Sequence, residues 1–395
     1  MTPTPEQETG HMEHRVLGRT GFKVSVIGFG AWGIGGAMWS DADDERSLAA
    51  LRAALESGCT FIDTALAYGE GRSERLVGRA LAGWQGKVIV ATKVPPLDRH
   101  WPAEAGVGLA RVFPAAYVRR TAELCASNLG RPIDLLQLHV WRDEYLDEPG
   151  WPAVVDTVAS LIKAGTIRSF GISVTEHVPD SGLEAVRRSD IITAVQVIYN
   201  VFDRQAEQRL FPLCQERNVG VIARVPLDEG GLTGTIGPDT TFPPGDWRNE
   251  YFAGDRKAEL ARRVDALKPL LLSEAPNLID GALRFCLSHP AVTTVIPGMR
   301  TAEHARANCA IGDARPLSPA LLKGLEAHAW PRDWYPHDPP VSRSALPSLV
   351  AALMLLFVWI VGTFVLPVGA GWIHLFLAAA VVLFIRWVVK GPIGK

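Results

Sequence analysis

Short apolar runs alternate along the chain with amphipathic stretches. Eight runs stand out, at 24–30, 60–64, 87–93, 133–139, 167–173, 194–200, 220–225 and 293–297. They are rich in Val and Ile and mostly lack a period of two, the pattern of strands buried on both faces. Helix patterns lie between them. One opens at Asp43 and Asp44, with acids in its first turn, and ends at Gly58. Another runs from Ser73 to about Ala82. Pro114 opens a third that Gly130 closes, and a fourth, from Trp151 to Ala164, stops at Gly165. Eight strands alternating with helices predict a parallel sheet with right-handed crossovers. Closure into a (β/α)8 TIM barrel is the simplest eight-strand solution.

Before the first run, 14–17 and 21–23 flank a Gly-Arg-Thr-Gly turn, which predicts a small hairpin on the barrel floor. Two connections are long, 95–113 and 230–254, as lids and binding loops are. After residue 335 the pattern changes. No charge occurs from 344 to 385. The 21 residues 346–366 suffice to span a bilayer, 367–371 reads as a turn, and 372–389 supplies a second apolar stretch. The expected organisation is a barrel over 13–335, a linker over 336–345 and two transmembrane helices forming a hairpin over 346–389. Arg343, Arg386, Lys390 and Lys395 flank the two spans. The positive-inside rule then places both ends, and the barrel, in the cytoplasm of a membrane-anchored protein.

Composition narrows the class. The 395 residues include 40 basic and 42 acidic ones, a net charge of −2, so a surface that tracks nucleic-acid phosphates is not indicated. The four cations from 341 onward meet no acid, which leaves the body more acidic still. Apolar residues at 48% exclude disorder for the bulk of the chain. Five scattered cysteines without a CxxC read as small core residues, and no apolar run follows a basic start as in a cleaved secretory signal. There is no HExxH, and no metal is expected.

Gly28-Phe29-Gly30-Ala31-Trp32-Gly33 matches GxGxxG, but the helix pattern starts only near Asp43. A dinucleotide-binding turn would open a helix at once, so this is a glycine-rich loop at a barrel mouth. The C-terminal ends of successive runs carry the chemistry. Asp63 ends one, Lys93 the next and His139 the next, with Tyr68 just beyond Asp63. Barrel enzymes work at that face. A tyrosine hydroxyl with a pKa of about 10 is a poor acid at neutral pH. A nearby ammonium stabilises its phenolate, and a carboxylate holds that ammonium charged and oriented. A neutral histidine can donate to a substrate carbonyl. Such a group protonates an oxygen as hydride reaches its carbon, which implies a nicotinamide cofactor. Trp32, Trp39, Trp101 and Trp141 fall on predicted mouth loops and suggest an apolar or aromatic pocket.

Over residues 13–335 the chain resembles the aldo-keto reductase family, through LGRTGFKVSVIGFGAWGIGG, FIDTALAYGEGRSERLVGRAL, VIVATKV, IDLLQLHVW, GTIRSFGIS, VQVIYNVFDR, GVIARVPLDEGGLTG and TTVIPGMRTAEHARAN. The family tetrad falls on Asp63, Tyr68, Lys93 and His139. The resemblance implies that Tyr68 is the general acid, Lys93 tunes it, Asp63 pairs with Lys93 and His139 orients the carbonyl. It implies NADPH as cofactor, with Gly30, Trp32 and Asp63 beside it and Ser173 and Gln196 at the nicotinamide carboxamide. Val174 stands where the family often has Asn, and Arg224 where an aromatic ring often stacks on the nicotinamide. Residues 226–231, with Leu227, are to give backbone donors to the pyrophosphate. Arg300 and Thr301 are to meet the 2′-phosphate, and Asn308 the adenine. The implied activity is reduction of a small aldehyde or ketone, apolar or lipid-derived if the anchor delivers it. The alternative is a cofactor-binding regulatory subunit of a membrane complex, like the potassium-channel β subunits.

Overall fold

The computed structural model describes residues 12–36, 38–39, 41–101, 106–175, 178, 180–313, 315–331, 345–361, 363, 374–379 and 381. The chain divides into two compact units, Met1–Trp334 and Tyr335–Lys395.

In the first unit, strands β1 (His14–Val16) and β2 (Lys23–Ser25) pair as an antiparallel hairpin. Eight parallel strands follow: β3 (Phe29–Gly30), β4 (Phe61–Asp63), β5 (Ile89–Val94), β6 (Ile133–Trp141), β7 (Ile167–Val174), β8 (Ala194–Ile198), β9 (Gly220–Arg224) and β10 (Val292–Val295). They neighbour one another in chain order. Parallel bridges Ile27↔Val295 and Gly30↔Gly298 join the first to the last. The (β/α)8 arrangement expected from the alternating runs is therefore present. The first run, 24–30, divides: its start belongs to the hairpin and only its end enters the barrel.

The seam is close. A Cβ on Gly30 would come within 2.7 Å of the Ile296 carbonyl oxygen, so only glycine lets β3 approach β10 there. The hairpin sits equally tightly on the barrel. A Cβ on Gly220 would lie 2.5 Å from Leu17, and one on Gly18, at φ +48°, 2.2 Å from the Gly220 nitrogen.

Although the runs are mostly apolar, their two faces do different work. Ile62, Val90, Leu136, Val195 and Val221 point outward into the core shared with the helices. Phe61, Ala91, Leu135, Ala194 and Ile222 point inward with Leu17, Phe22 and Val24 and fill the barrel. Strand residues two apart share a face. Two residues further along these inward rows stand Asp63, Lys93, Gln137, Gln196 and Arg224, and His139 lies two beyond Gln137. The strands thus end in a polar layer seated on an apolar plug.

The helices begin and end where the local chemistry directs. Asp43 caps Asp44–Glu56 by accepting from the Arg46 N–H at 2.8 Å, and Gly130 closes Ala115–Leu129 at φ +64°. All five cysteines are buried thiols.

In the second unit the expected membrane hairpin is overturned. Among the described residues no helix is long and apolar enough to cross a membrane. The helix Ala345–Ile360 has 16 residues, about 24 Å at 1.5 Å per residue, short of a hydrocarbon core of about 30 Å. Val361 and Thr363, just beyond it, are π-helical. A second helical stretch, 374–379, is tied to the first through a Trp359–His374 hydrogen bond of 3.2 Å. With the spans falls the assignment to a membrane with a cytoplasmic barrel. Most of the linker 336–345, the turn 367–371, most of the span 372–389, and Arg343, Arg386, Lys390 and Lys395 lie outside the described residues, as does the N-terminal 1–11.

Candidate active site

The polar layer at the strand ends brings Asp63, Lys93, Tyr68 and His139 together. Lys93 is fully buried, and its ammonium lies 2.6 Å from Asp63 Oδ2. It also donates to the Thr64 carbonyl at 2.9 Å and to Tyr68 Oη at 3.3 Å. An ammonium has three hydrogens and no lone pair, so these three oxygens account for all of them. Tyr68 Oη therefore accepts from Lys93 and keeps a hydrogen of its own. Asp63 is held from its other side by Gln196 Nε2 at 2.7 Å and Gln137 Nε2 at 3.5 Å. Burial lowers the proton affinity of Lys93 against the pull of Asp63, and the Arg224 charge lowers it further.

The His139 ring lies 6.0 Å from that of Tyr68 and 4.5 Å from the Trp101 indole, edge to face with both. Its pKa is held well below the ordinary value by burial, then by the charges of Lys93 and Arg224. The ring is therefore neutral at pH 7, the form that can act as a single hydrogen-bond donor without adding a third cation. Its Nδ1 is buried and has no hydrogen-bond partner among the described residues.

The other residues singled out in the sequence are distributed around this centre. Ser173, fully buried near the end of β7, pairs in register with Gln196, and among the described residues its Oγ has no hydrogen-bond partner. The amide nitrogen of Gln196 is engaged by Asp63. Arg224 ends β9 and donates to the Val174 carbonyl at 3.1 Å. Around Leu227 the chain makes a strained turn, with Val225, Asp228, Glu229 and Gly230 all at positive φ. Thr301 caps the helix Ala302–Cys309 by accepting from the His304 N–H, and Asn308 is buried on that helix. Arg300 packs its stem over Gly33, pairs with Asp41 and lies 5.1 Å from the Trp39 ring. Gly30 serves the barrel seam.

Two readings of the aromatic residues change. Trp141 is fully buried, donates from Nε1 to Asp143 at 2.7 Å and packs on Tyr145 and Trp151, so it belongs to the core and not to a pocket. Trp247, unremarked in the sequence, joins the mouth: its ring lies 5.2 Å from Trp32, and its backbone N–H donates to the Met38 carbonyl at 3.2 Å. Trp32 in turn lies 5.5 Å from Trp39 and 6.3 Å from Tyr68. Gln137 was also missed as a support for Asp63. Its signal was its place two residues before His139, one layer deeper on the same strand face.

Residues 26–329 match the aldo/keto reductase family. The chain is 32% identical over 298 residues to the aldo-keto reductase YhdN of Bacillus subtilis, covering 73% of this chain and 85% of that protein. Its structure resembles that of the holo form of aldo-keto reductase AKR11C1 from Bacillus halodurans, with a TM-score of 0.64 and 27% identity over 83% of this chain and 99% of the other. It also resembles an aldo/keto reductase from Klebsiella pneumoniae in complex with NADP and acetate, with a TM-score of 0.58 and 25% identity over 80% and 96%. The chain belongs to the aldo/keto reductase family, whose members are NAD(P)-dependent oxidoreductases.

Proposed function

We propose that the protein reduces the carbonyl of a small aldehyde or ketone to an alcohol with NADPH, and that Tyr68 is the proton donor. The observation that carries this reading is the hydrogen-bonded chain Asp63–Lys93–Tyr68 with a neutral His139 beside it. Tyr68 and His139 together bind and orient the carbonyl oxygen. Lys93, held charged by Asp63, stabilises the negative charge that grows on Tyr68 Oη as its proton leaves. When bound, a reduced nicotinamide supplies the hydride that ends on the carbonyl carbon, while the Tyr68 proton ends on the oxygen. The indoles of Trp32, Trp39 and Trp101 exclude water and favour a substrate with an apolar or aromatic body.

The residues present fit a nicotinamide dinucleotide. The buried Ser173 Oγ needs a hydrogen-bonding partner from outside the protein, which a carboxamide offers. Arg300 and the N-terminus of Ala302–Cys309 suit a 2′-phosphate, for which Arg300 exchanges Asp41. Asn308 on the same helix suits the adenine. The strained turn around Leu227 suits the pyrophosphate through its backbone. Consumption of NADPH with simple aromatic aldehydes tests the reading. Steady turnover is expected; cofactor bound tightly with no aldehyde or ketone reduced overturns it.

Cofactor choice carries its own expectation. Arg300→Ala should weaken NADPH binding by about 1.5–3 kcal/mol, roughly 10- to 150-fold, and leave NADH nearly unchanged, because only NADPH offers the 2′-phosphate. Titration of both cofactors checks this, and an equal loss for both removes Arg300 as the phosphate ligand.

A further inference from the structure

We infer that the Glu70–Arg99 ion pair is a clasp that holds Trp101 over the carbonyl site and so sets how well the enzyme takes aromatic substrates. The inference rests on the carbonyl-reductase reading above. The turn after β4 bears Tyr68 and, two residues on, Glu70. Hydrogen bonds close it, from the Gly71 N–H to the Leu66 carbonyl at 2.8 Å and from the Ser73 N–H to the Tyr68 carbonyl at 3.2 Å. The connection after β5 bears Arg99 and, two residues on, Trp101. Its root is pinned: Tyr117 Oη donates to the Pro95 carbonyl at 3.0 Å, and the Leu97 N–H to the Val112 carbonyl at 2.9 Å. Past that root, Arg99 donates from Nη1 and Nη2 to the two carboxylate oxygens of Glu70, at 3.1 and 3.0 Å. Bidentate geometry fixes direction as well as distance. Both residues hold a positive φ, +49° at Glu70 and +60° at Arg99, a conformation that side chains other than glycine seldom adopt.

The clasp thus ties the loop carrying Trp101 to the turn carrying Tyr68. The half-buried Trp101 indole stands edge to face with His139 at 4.5 Å. Tyr68 and His139 hold the carbonyl oxygen, so the group attached to the carbonyl carbon lies within reach of that indole. An aromatic ring there gains an aromatic contact as well as buried area. A short aliphatic aldehyde has too little body to gain much from either. Such a contact is alike in the bound substrate and in the transition state, so it acts on KM and not on kcat. Glu70 and Arg99 both reach solvent, and an exposed pair contributes little to global stability. Its effect is therefore local, and the two are positioning residues for one indole.

Steady-state kinetics of the full chain at saturating NADPH, with benzaldehyde and with propanal, test the inference. Arg99→Gln should raise KM for benzaldehyde about two- to fivefold, leave its kcat unchanged and leave both constants for propanal unchanged. Glu70→Lys, which sets two cations together, should do the same and repeats the test should the glutamine variant misfold. The exchanged pair, Glu70→Lys with Arg99→Glu, should recover most of the benzaldehyde KM, a rescue that damage to either loop would not show. Trp101→Ala should itself raise the benzaldehyde KM, and adding Arg99→Gln should raise it no further, because the clasp acts through that indole. A benzaldehyde KM unmoved by Arg99→Gln and Glu70→Lys, equal losses for both aldehydes, no rescue in the exchanged pair, or an additive loss beside Trp101→Ala overturns the inference and leaves the reductase reading standing. A wild type that reduces neither aldehyde overturns the proposed function and this inference with it.

Discussion

Tyr68→Phe should lower turnover at least about 10²-fold, the scale of general-acid catalysis, and leave cofactor affinity nearly unchanged. The substitution removes one oxygen. The Lys93 ammonium loses only its longest hydrogen bond, 3.3 Å, and keeps Asp63 at 2.6 Å and the Thr64 carbonyl at 2.9 Å. The phenyl ring can keep its place beside Trp32, 6.3 Å away, and His139, 6.0 Å away. What disappears is the hydroxyl proton itself. Steady-state kinetics with a simple aldehyde, together with a cofactor titration, separate the two effects. Wild-type turnover in the phenylalanine enzyme would take the proton-donor role from Tyr68.

Lys93→Met should destabilise the fold by about 3–5 kcal/mol as well as impair turnover. Lys93 and Asp63 are 0% and 3% exposed, and their charges compensate each other where water does not reach. Removing the ammonium leaves the Asp63 carboxylate with amide donors from Gln196 and Gln137 but no countercharge. Asp63→Asn combined with Lys93→Met removes both charges and should recover much of the lost stability while activity stays low. Urea unfolding of the two variants measures this. A single-variant loss under about 1 kcal/mol would mean that the pair is not the sole compensation for the buried carboxylate.

The membrane hairpin shows where one-dimensional reading goes astray. A stretch of 42 residues without charge satisfies a span-length criterion by composition alone. Spanning also requires the backbone to stay helical across the whole hydrocarbon, because no water is there to satisfy broken hydrogen bonds. Among the described residues no helix is long and apolar enough for that. Composition measured the solvent preference of the side chains, and helix continuity is a property of the backbone.

Within the barrel, what could be read along the chain was what local physics repeats. Apolar runs at 60–64, 87–93, 133–139 and 194–200 announced doubly buried strands, and each strand end showed which residue type reached the mouth. Asp63, Lys93 and His139 were legible there, because consecutive parallel strands place their C-terminal ends side by side. The partners of those residues were not. Gln196 lies 133 positions from Asp63 yet holds its carboxylate, and Arg300 lies 259 positions from Asp41 yet pairs with it. Trp141 and Trp101 look alike in sequence, but one is sealed into the core and the other stands against His139. Such pairings depend on barrel closure and on strand register, where a shift of one residue turns every side chain to the other face. Spacing along the chain determined the strands and the residues at their ends. Only the closed tertiary structure decided which of those residues meet, because hydrogen bonds and ion pairs act through distances in space.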